Sequence, residues 1–415
     1  MTLRLLTFLI SAAMALAAAS SAVAQPGRTA PSFDSWTADC SNTGVCFASS
    51  LTRTKSVWVD LRIIRDWPAE AQPLMRLTTN TTLPVEGTLR FDVDGAAVEA
   101  LPLEQLREMQ GAVVPPAGFR PLGGEGFWYP TGPATATLLK ALQEGKELTV
   151  RLPAAEDGAD PISVPVSLQG LKASLLWLDN RQNRTGTVAA IVAPGTAPAE
   201  DAPHALPVMS AQELPPEVAA VWSANRLCSE IDPAIFASLN AVRVPLPENA
   251  SLYIIPCGAP TAHNSPYVAV LASKDGAARQ IHVARMSDQG PIATDLIYNA
   301  HWSPADQQLV SYFKGSGVGE CGLWNRWVWN GSGLVLLEEA TRNTCDGTEP
   351  DLSKWSNSWP AKKTLRISAR TKDSLAVFAL PALMMLTQRL DRDAAGLFQP
   401  EFRVLNGRTM CAYGK

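Results

Sequence analysis

The sequence contains few of the residues that metal binding and acid–base catalysis usually require. Four histidines occur in 415 residues, and no two of the seven cysteines have the C-x-x-C spacing of a typical zinc site. No G-x-S-x-G motif indicates a serine nucleophile, and no two carboxylates stand out as a pair for glycoside hydrolysis. We therefore predict no metal and no cofactor, and we assign no catalytic residue.

The sequence lacks the clustered positive charge of a nucleic-acid-binding protein and the long apolar run of a transmembrane helix. Lys and Arg number 35 against 39 Asp and Glu, for a formal net charge of −4. A nucleic-acid-binding protein would show a basic stripe, and none is visible, so no nucleic-acid partner is expected. The apolar runs at 5–18 and 375–386 are shorter than the roughly 20 residues that span a bilayer, so no transmembrane segment is expected in the mature chain.

The first 24 residues have the features of an export signal. Arg4 supplies a positive start, residues 5–18 are mostly apolar, and Ala22-Val23-Ala24 fits a small-residue cleavage site. We expect cleavage near Ala24 and a periplasmic or secreted mature protein.

Export changes the interpretation of the cysteines, because exported proteins fold where disulfides form. Their grouping along the chain suggests the pairs Cys40–Cys46, Cys228–Cys257 and Cys321–Cys345, which leaves Cys411 over. Spacing alone does not establish connectivity, and a zinc site is the competing interpretation.

The hydrophobic pattern predicts a mainly β protein with a few helices, an α+β chain with two β-rich domains. In the N-terminal domain, residues 25–191, the pattern predicts helices at 135–145 and 168–180. It predicts strands within 55–67 and at 74–79, 88–93, 147–152 and 162–168. Residues 192–215 are rich in Pro and Ala and are predicted to form a semi-rigid linker, with an ordered surface loop as the alternative.

Residues 216–362 are predicted to form the C-terminal domain, an antiparallel meander, sandwich or barrel. A helix beginning at Pro216 is followed by seven strand-like runs, at 252–257, 267–273, 280–286, 295–302, 308–313, 323–329 and 334–339. The phrase His301-Trp302-Ser303-Pro304 leaves a propeller as an alternative. Residues 363–415 are an extension of uncertain status: a packed addition, a docking segment or a frameshifted reading.

The chain is organised around residues 306–345, where two strand-like runs flank a glycine-rich loop that ends in Cys321. A phosphate-binding loop would carry its lysine after the glycines, whereas Lys314 precedes them, so a tight strand connection is favoured. Trp327 and Trp329 alternate around Val328 and so face one side of a strand, either in the core or as an exposed aromatic platform. The predicted binding residues are Trp327, Trp329, Trp324, Glu320 and Lys314.

One acid–base constellation remains as a candidate. His301 lies near Asp295 and Asp306 in the sequence, and this is the best set for general acid–base catalysis that the chain offers.

Spaced Cys, Trp and Gly residues also give the sequence a resemblance to a known family. The pattern comprises Trp36, Cys40 and Cys46, the runs 166–171 (VSLQGL), 181–187 (RQNRTGT), 314–322 (KGSGVGECG) and 327–331 (WVWNG), Cys345 and Trp359-Pro360. It resembles the exported bacterial family called domain of unknown function 1176. The first half is more loosely similar to invasion-associated locus B proteins. The resemblance implies an exported, disulfide-bonded protein and brings no catalytic residues; residues 363–415 depart from the pattern.

These observations favour a non-catalytic binding module, either an envelope or a host-facing interaction module, and the partner expected is an envelope polymer or a protein. A hydrolase acting on envelope glycan or peptide is the first alternative, which two convergent carboxylates in a cleft would favour. A purely structural envelope protein is the second, which burial of all the tryptophans would favour.

Overall fold

The computed structural model describes residues 30–111, 113–117, 123–129, 132–155 and 159–360, together with one short strand pair near the C-terminus. That pair joins Val404–Leu405 to Arg408–Thr409 in antiparallel register. The predicted export signal (1–24), the apolar run 375–386 and Cys411 lie outside the described residues.

The first half of the described chain forms two antiparallel sheets. Its strands are β1 (Ser32–Phe33), β2 (Trp36–Cys40), β3 (Cys46–Thr54), β4 (Val57–Arg65), β5 (Leu74–Thr79), β6 (Thr88–Val93), β7 (Ala96–Pro102), β8 (Glu125–Tyr129), β9 (Glu147–Leu152) and β10 (Ile162–Ser167). Sheet I has the order β1-β2-β3-β4-β5-β8, and sheet II has the order β10-β9-β6-β7.

Helices α1 (Leu103–Gln110), α2 (Pro133–Glu144) and α3 (Leu171–Arg181) complete this half. Helix α2 begins with a proline, whose fixed φ suits a first helical turn, and it buries residues 135, 138, 139 and 142. Helix α3 buries residues 171, 174, 175, 178 and 179, which is the same helical spacing. These stripes join the inner faces of sheets I and II in one hydrophobic core that includes Trp36, Leu61 and Phe91.

The second half contains helices α4 (Pro216–Ser223), α5 (Arg226–Ser229) and α6 (Pro233–Ser238) and a longer series of strands. The strands are β11 (Leu206–Pro207), β12 (Val242–Pro245), β13 (Ser251–Pro256), β14 (Pro266–Ala272), β15 (Ala278–Ile281), β16 (Val283–Ser287), β17 (Gly290–Thr294), β18 (Ile297–Tyr298), β19 (His301–Ser303), β20 (Gln308–Lys314), β21 (Gly322–Trp329), β22 (Leu334–Arg342) and β23 (Ser356–Trp359). Sheet III has the order β11-β12-β13-β14-β15 with β18 also on β14, and sheet IV runs from β19 to β23 in sequence order.

Sheets III and IV bury apolar faces against each other, because alternate residues of each strand point to opposite sides. Leu252 and Ile254 of β13 share a core with Trp302, Leu309 and Trp327 of sheet IV. The alternate residues of the same strand, Tyr253 and Ile255, face helices α4 to α6. The mainly β fold class is thereby confirmed: sheet IV is a meander, the two sheets pack as a sandwich, and the sheets that the structure describes do not close into a barrel. No helix among the described residues has both the length and the apolar character needed to cross a bilayer.

The sequence predicted several elements well and merged others. Strands β5, β6 and β9 have the predicted bounds, whereas β7, α1 and β8 were not predicted. The run 280–286 is wrong as one strand, since β15 belongs to sheet III and β16 pairs with β17. The run 295–302 is also two strands, because Asn299 adopts a left-handed conformation (φ 46°) between them.

The Pro/Ala-rich residues 192–215 are ordered against the first half and lead into sheet III. Ala202 N–H donates to the Trp67 carbonyl (2.9 Å), and the His204 ring stacks on the Trp67 ring at 3.8 Å. Leu206–Pro207 then pairs with β12. The described residues from 30 to 360 group into one compact unit. The division into two domains stays a prediction.

Arg181 at the end of α3 connects the two halves. Its Nη1 and Nη2 donate to the two Asp306 carboxylate oxygens at 2.7 Å each, and Nη2 also donates to Ser303 Oγ at 2.8 Å. Such bidentate arginine–carboxylate pairs are geometrically specific as well as strong. The side chains are 20% and 19% exposed, so solvent screens the pair only in part.

We expect a double-mutant cycle on Arg181→Met and Asp306→Asn to give a coupling free energy of about 1–2 kcal/mol in urea denaturation. The reason is that each single change leaves the other charge partly buried without its partner. The exposed pair Lys354–Asp351 is the matched control, and its Lys354→Met/Asp351→Asn cycle should give a much smaller coupling, because solvent screens this pair. Equal coupling for the two pairs would contradict a role for Arg181 in joining the halves.

Candidate functional site

Of the three predicted tryptophans, Trp324 and Trp327 are fully buried and Trp329 is partly buried. Trp327 packs in the core between sheets III and IV, where its Nε1 donates to the Ala284 carbonyl at 2.8 Å, and Trp329 packs against the same core. Trp324 faces the other side of sheet IV, in a cluster with Trp355. Trp324 and Trp327 are each 1% exposed, so a ligand in solution would not reach their rings in this structure. The assignment of the five predicted residues to a binding site stays a prediction.

The glycine-rich loop, residues 315–321, joins β20 to β21 and is closed by the disulfide Cys321–Cys345. Cys40–Cys46 and Cys228–Cys257 are also bonded, so all three predicted pairs are confirmed. Gly322, which follows the loop, has φ 136°, and a Cβ there would collide with the Phe313 carbonyl oxygen. Only glycine accommodates that turn, because other residues avoid this conformation and bring a side chain into the clash.

Glu320 stabilises the loop from inside. It is 1% exposed, and its carboxylate accepts hydrogen bonds from the Ser316 hydroxyl and from Gly347 N–H (3.0 Å). The hydrogen bond from Ser316, followed by that from Gly347, lowers the Glu320 pKa below its usual value. Tyr312 adds a further bond by donating its hydroxyl proton to the Gly319 carbonyl. The carboxylate therefore caps the loop.

A metal centre is the other arrangement that these residues could form. Among the described residues, a Glu320 oxygen and the sulfurs of Cys321 and Cys345 lie within 4.8 Å of one another. Metal ions bind cysteine as the thiolate. Both sulfurs are bonded to each other, so the pair has no thiolate to offer in the oxidised protein.

Glu320→Gln should destabilise the protein at about pH 6 and have a shrinking effect toward about pH 3. The folded pKa lies below the unfolded value of about 4.5, so the stability from the carboxylate is present above that value and is lost as the pH falls through the folded pKa. The measurement is the difference in thermal midpoint between wild type and variant across this range. Glu349→Gln, on the exposed segment after Cys345, is the control with the same change in net charge. A pH-independent difference for Glu320→Gln would contradict the capping role.

Two asparagines hold the end of β20, where the glycine-rich loop begins, against neighbouring loops of sheet III. Asn264 Nδ2 donates to the Lys314 carbonyl (2.9 Å), and Lys314 N–H donates to Asn264 Oδ1 (2.8 Å). Asn299 Nδ2 donates to the carbonyls of His263 (3.1 Å) and Tyr312 (2.8 Å). We call this convergence of residues 261–265, 298–299 and 312–321 the loop junction.

The loop junction presents a small group of apolar and aromatic side chains to solvent. Phe313 is 38% exposed and packs edge-to-face on Tyr298, with the ring centroids 5.1 Å apart. Val318 is 51% exposed, and the exposed His263 ring lies against Gly317. Sequence reasoning missed these four residues. The sequence predicts a strand at 308–313, and alternation along it places Phe313 on the same side as the buried Leu309. The sequence therefore gives no sign that Phe313 is exposed.

The residues proposed from the sequence for acid–base catalysis, His301, Asp295 and Asp306, include one carboxylate that is bound in an ion pair. Asp306 is engaged by Arg181 and by the Ser303 hydroxyl (2.8 Å). Burial alone would raise its pKa, but the hydrogen bonds and charge of Arg181 hold it below the usual value. Burial lowers the pKa of His301, and the charges that act on the ring are those of Asp39 and Arg181. The sequence set His301, Asp295 and Asp306 therefore contains a carboxylate already committed to an ion pair.

Comparisons with known proteins agree with the resemblance found in the sequence. The chain is similar to an uncharacterized protein, YpfG, of Escherichia coli (strain K12), at 29% identity over 252 residues that cover 56% of this chain and 68% of YpfG. A solved structure, invasion associated protein b from Bartonella henselae, matches 38% of this chain and 99% of its own, at 19% identity and a TM-score of 0.29, a likeness too slight to carry an argument. The family described as "Protein of unknown function (DUF1176)" matches residues 30–362. Since this match covers most of the sequence, the chain belongs to the DUF1176 family.

Proposed function

We propose that this chain is a non-catalytic binding protein of the cell envelope, which holds an envelope glycan at the loop junction. The observation that carries the proposal is the exposed Phe313 ring, packed on the partly exposed Tyr298 ring, on a loop system held by hydrogen bonds and a disulfide. Exposed apolar groups beside polar loops are typical of binding surfaces.

Rigidity favours binding over reaction at this place. Binding to a preformed surface avoids the entropic cost of ordering loops. At the loop junction the Asn264 and Asn299 amides, the Glu320 carboxylate and the Tyr312 hydroxyl are all used in hydrogen bonds that shape the loops. These groups hold the surface in position, and the side chains above them are available for a ligand.

The composition of the exposed surface suits a sugar ring. A pyranose has an apolar C–H face, which packs on aromatic rings, and hydroxyl groups at its edge, which need polar partners. Phe313, Tyr298 and Val318 provide the apolar area, and the exposed His263 ring, which lies against Gly317, adds a polar group on the same loop system. The mixture of aromatic area and a few polar groups is the usual lining of a ligand site.

Placement of the protein in the envelope is supported by the three disulfides and by the export signal expected at residues 1–24. Disulfides persist in oxidising compartments and are rare in the cytosol. An exported protein that binds glycan would meet the polymer of the cell wall directly.

The test is co-sedimentation of the mature, exported chain with purified peptidoglycan sacculi. We expect saturable binding by wild type and a roughly two- to ten-fold weaker affinity for Phe313→Ala, because loss of an aromatic contact costs about 0.5–1.5 kcal/mol. Ile292→Ala is the matched control, since Ile292 is an apolar residue with 47% exposure on the β16–β17 hairpin. Circular dichroism should show both variants folded.

Two results would contradict the proposal. One is no binding by the folded wild-type protein, which would favour the purely structural alternative. The other is equal affinity for Phe313→Ala and wild type, which would remove the loop junction as the site.

A further inference from the structure

The outer face of sheet I carries a group of charged side chains that the proposed glycan site does not use. Cross-strand register places Arg62, Arg76 and Trp128 in one row across β4, β5 and β8. The next row on the same face contains Asp60, Thr78 and Gly126. Residues directly opposite in antiparallel strands lie close enough for their side chains to interact. The two rows therefore form a single patch.

The only carboxylate in these two rows is already engaged. Asp60 is 2% exposed, and Arg62 Nε donates to its Oδ2 at 2.6 Å. The Arg62 guanidinium also lies over the Phe47 ring, 5.2 Å from its centroid. Among the described residues of these two rows, two guanidinium groups face one carboxylate, which is an excess of one positive charge.

Arg76 carries this charge and has a buried donor atom without a hydrogen-bond partner among the described residues. Its guanidinium lies over the Trp128 ring, 5.0 Å from the centroid. Within the described part of the chain its Nε is buried and has no hydrogen-bond partner. Burial, and then the charge of Arg62, lower the Arg76 pKa, and the charge of Asp60 opposes this shift in part.

Thr78 provides a second unsatisfied group beside the first. The residue is 1% exposed, and its Oγ1 has no hydrogen-bond partner among the described residues. A Cβ built on Gly126 would collide with Arg76 Nη2 and lie 3.2 Å from Thr78 Oγ1, so the guanidinium fills the space that this glycine leaves and lies beside the Thr78 side chain. Buried polar groups are nearly always hydrogen-bonded in folded proteins, and each exception calls for a partner.

We propose that Arg76 and Thr78 form a binding site for a carboxylate on the outer face of sheet I. Arginine Nε–H is a donor and has no acceptor capacity, and the threonine hydroxyl can donate as well. The missing partner is therefore an acceptor. A planar carboxylate matches the guanidinium fork, and one negative charge balances the excess positive charge of the patch. Arg76 is partly exposed, whereas its Nε and the Thr78 Oγ1 are buried, so the carboxylate reaches these two atoms as the guanidinium moves outward.

The test measures thermal unfolding of the full mature chain in sodium acetate and in sodium chloride at equal ionic strength. A ligand that binds the folded state raises the midpoint as its concentration rises. We expect acetate to raise the midpoint above chloride for wild type and for Arg90→Met, which removes an exposed arginine from sheet II. Arg76→Met should abolish the acetate increment, and Thr78→Val should weaken the apparent affinity roughly ten-fold. The quantity compared is the rise in thermal midpoint from chloride to acetate within each variant. A variant that is less stable in both salts therefore does not affect the comparison.

A second measurement keeps the proposal testable if Arg76→Met folds poorly. In a ¹H–¹⁵N spectrum of wild type, the Arg76 Nε–H signal, identified by its absence in Arg76→Lys, should shift with acetate. An increment of equal size in Arg76→Met, or an Arg76 signal that does not move, would overturn the proposal. A response to inorganic phosphate with none to acetate would overturn the assignment to a carboxylate.

Discussion

Asp179→Asn is expected to lower the free energy of unfolding by about 3–5 kcal/mol, because it removes one partner of a fully buried ion pair. Asp179 Oδ1 lies 2.9 Å from Arg65 Nη1, and both side chains are 0% exposed. The measurement is urea denaturation of the mature protein at neutral pH, followed by circular dichroism. The expected loss is a large share of the stability of an ordinary domain, which is about 5–15 kcal/mol.

The cost is high because the carboxylate also orders backbone. Asp179 accepts hydrogen bonds from Ile191 N–H at 3.0 Å and from Val192 N–H at 3.1 Å. These residues lie where the chain leaves the first half. An asparagine would keep one acceptor oxygen and would place an NH₂ group where the second acceptor had been. It would also leave Arg65 charged and buried without a counter-ion.

Arg65 depends on this carboxylate more than on its other partners. Its Nε donates to Gln182 Oε1 (2.6 Å) and its Nη1 to the Ala189 carbonyl (2.9 Å), but neither of these carries a charge. Burial lowers the Arg65 pKa to about 10, against which Asp179 is the largest opposing influence. At neutral pH the arginine therefore stays protonated and needs the anion.

The exposed pair Arg226–Glu230 on α5 is the control. Arg226→Gln should cost about 0.5 kcal/mol or less, because solvent screens an exposed i,i+4 pair. The double variant Arg65→Met/Asp179→Leu should be more stable than Asp179→Asn, since it removes both buried charges together. A cost for Asp179→Asn no larger than that for Arg226→Gln would show that the network does not stabilise the fold.

Removal of the disulfide Cys321–Cys345, by changing both cysteines to alanine, should lower the free energy of unfolding by about 3 kcal/mol. The cross-link spans 24 residues of sequence, and its loss lets the unfolded chain gain conformational entropy. Alanine is chosen because Cys321 is buried, and a serine would place a hydroxyl group in that environment. The measurement is denaturant unfolding of the purified variant.

The disulfide Cys40–Cys46 supplies the matched control, because it spans only 6 residues and its removal should cost about 2 kcal/mol. The Cys321/Cys345 variant should also bind sacculi more weakly than the Cys40/Cys46 variant, since only the former loosens the loop junction. The reverse order in both stability and binding would contradict this account of the loop.

The sequence predicted those strands and disulfides that depend on residues close together in the chain. Strands β5, β6 and β9 were predicted because their apolar residues alternate or run unbroken between turn residues. The disulfides were predicted because each pair closes a loop within one region. Residues 295–302 were merged into one strand, since a left-handed asparagine inside an apolar run gives little local warning.

The sites depended on tertiary placement, which a single sequence does not encode locally. Trp324 and Phe313 belong to neighbouring strands of one sheet, yet the tryptophan is buried under Trp355 and the phenylalanine is exposed. Residues 181–187 carried the family resemblance, but the buried role of Gln182 and Arg184 follows from chain segments more than 110 residues away in sequence. The unsatisfied donors of Arg76 and Thr78 become visible only when the sheet is assembled.

The attachment of residues 192–215 bears on the susceptibility of the protein to proteases. Proteases cleave extended, locally unfolded chain, and a Pro/Ala-rich segment between two β-rich halves would ordinarily be the first place cut. Here Thr187 pairs with Ala197, Trp67 stacks on His204, and Ala205 N–H donates to the Thr43 carbonyl. Cleavage in this segment must therefore await local opening. Proteases therefore leave the two halves in one chain for as long as this segment stays packed.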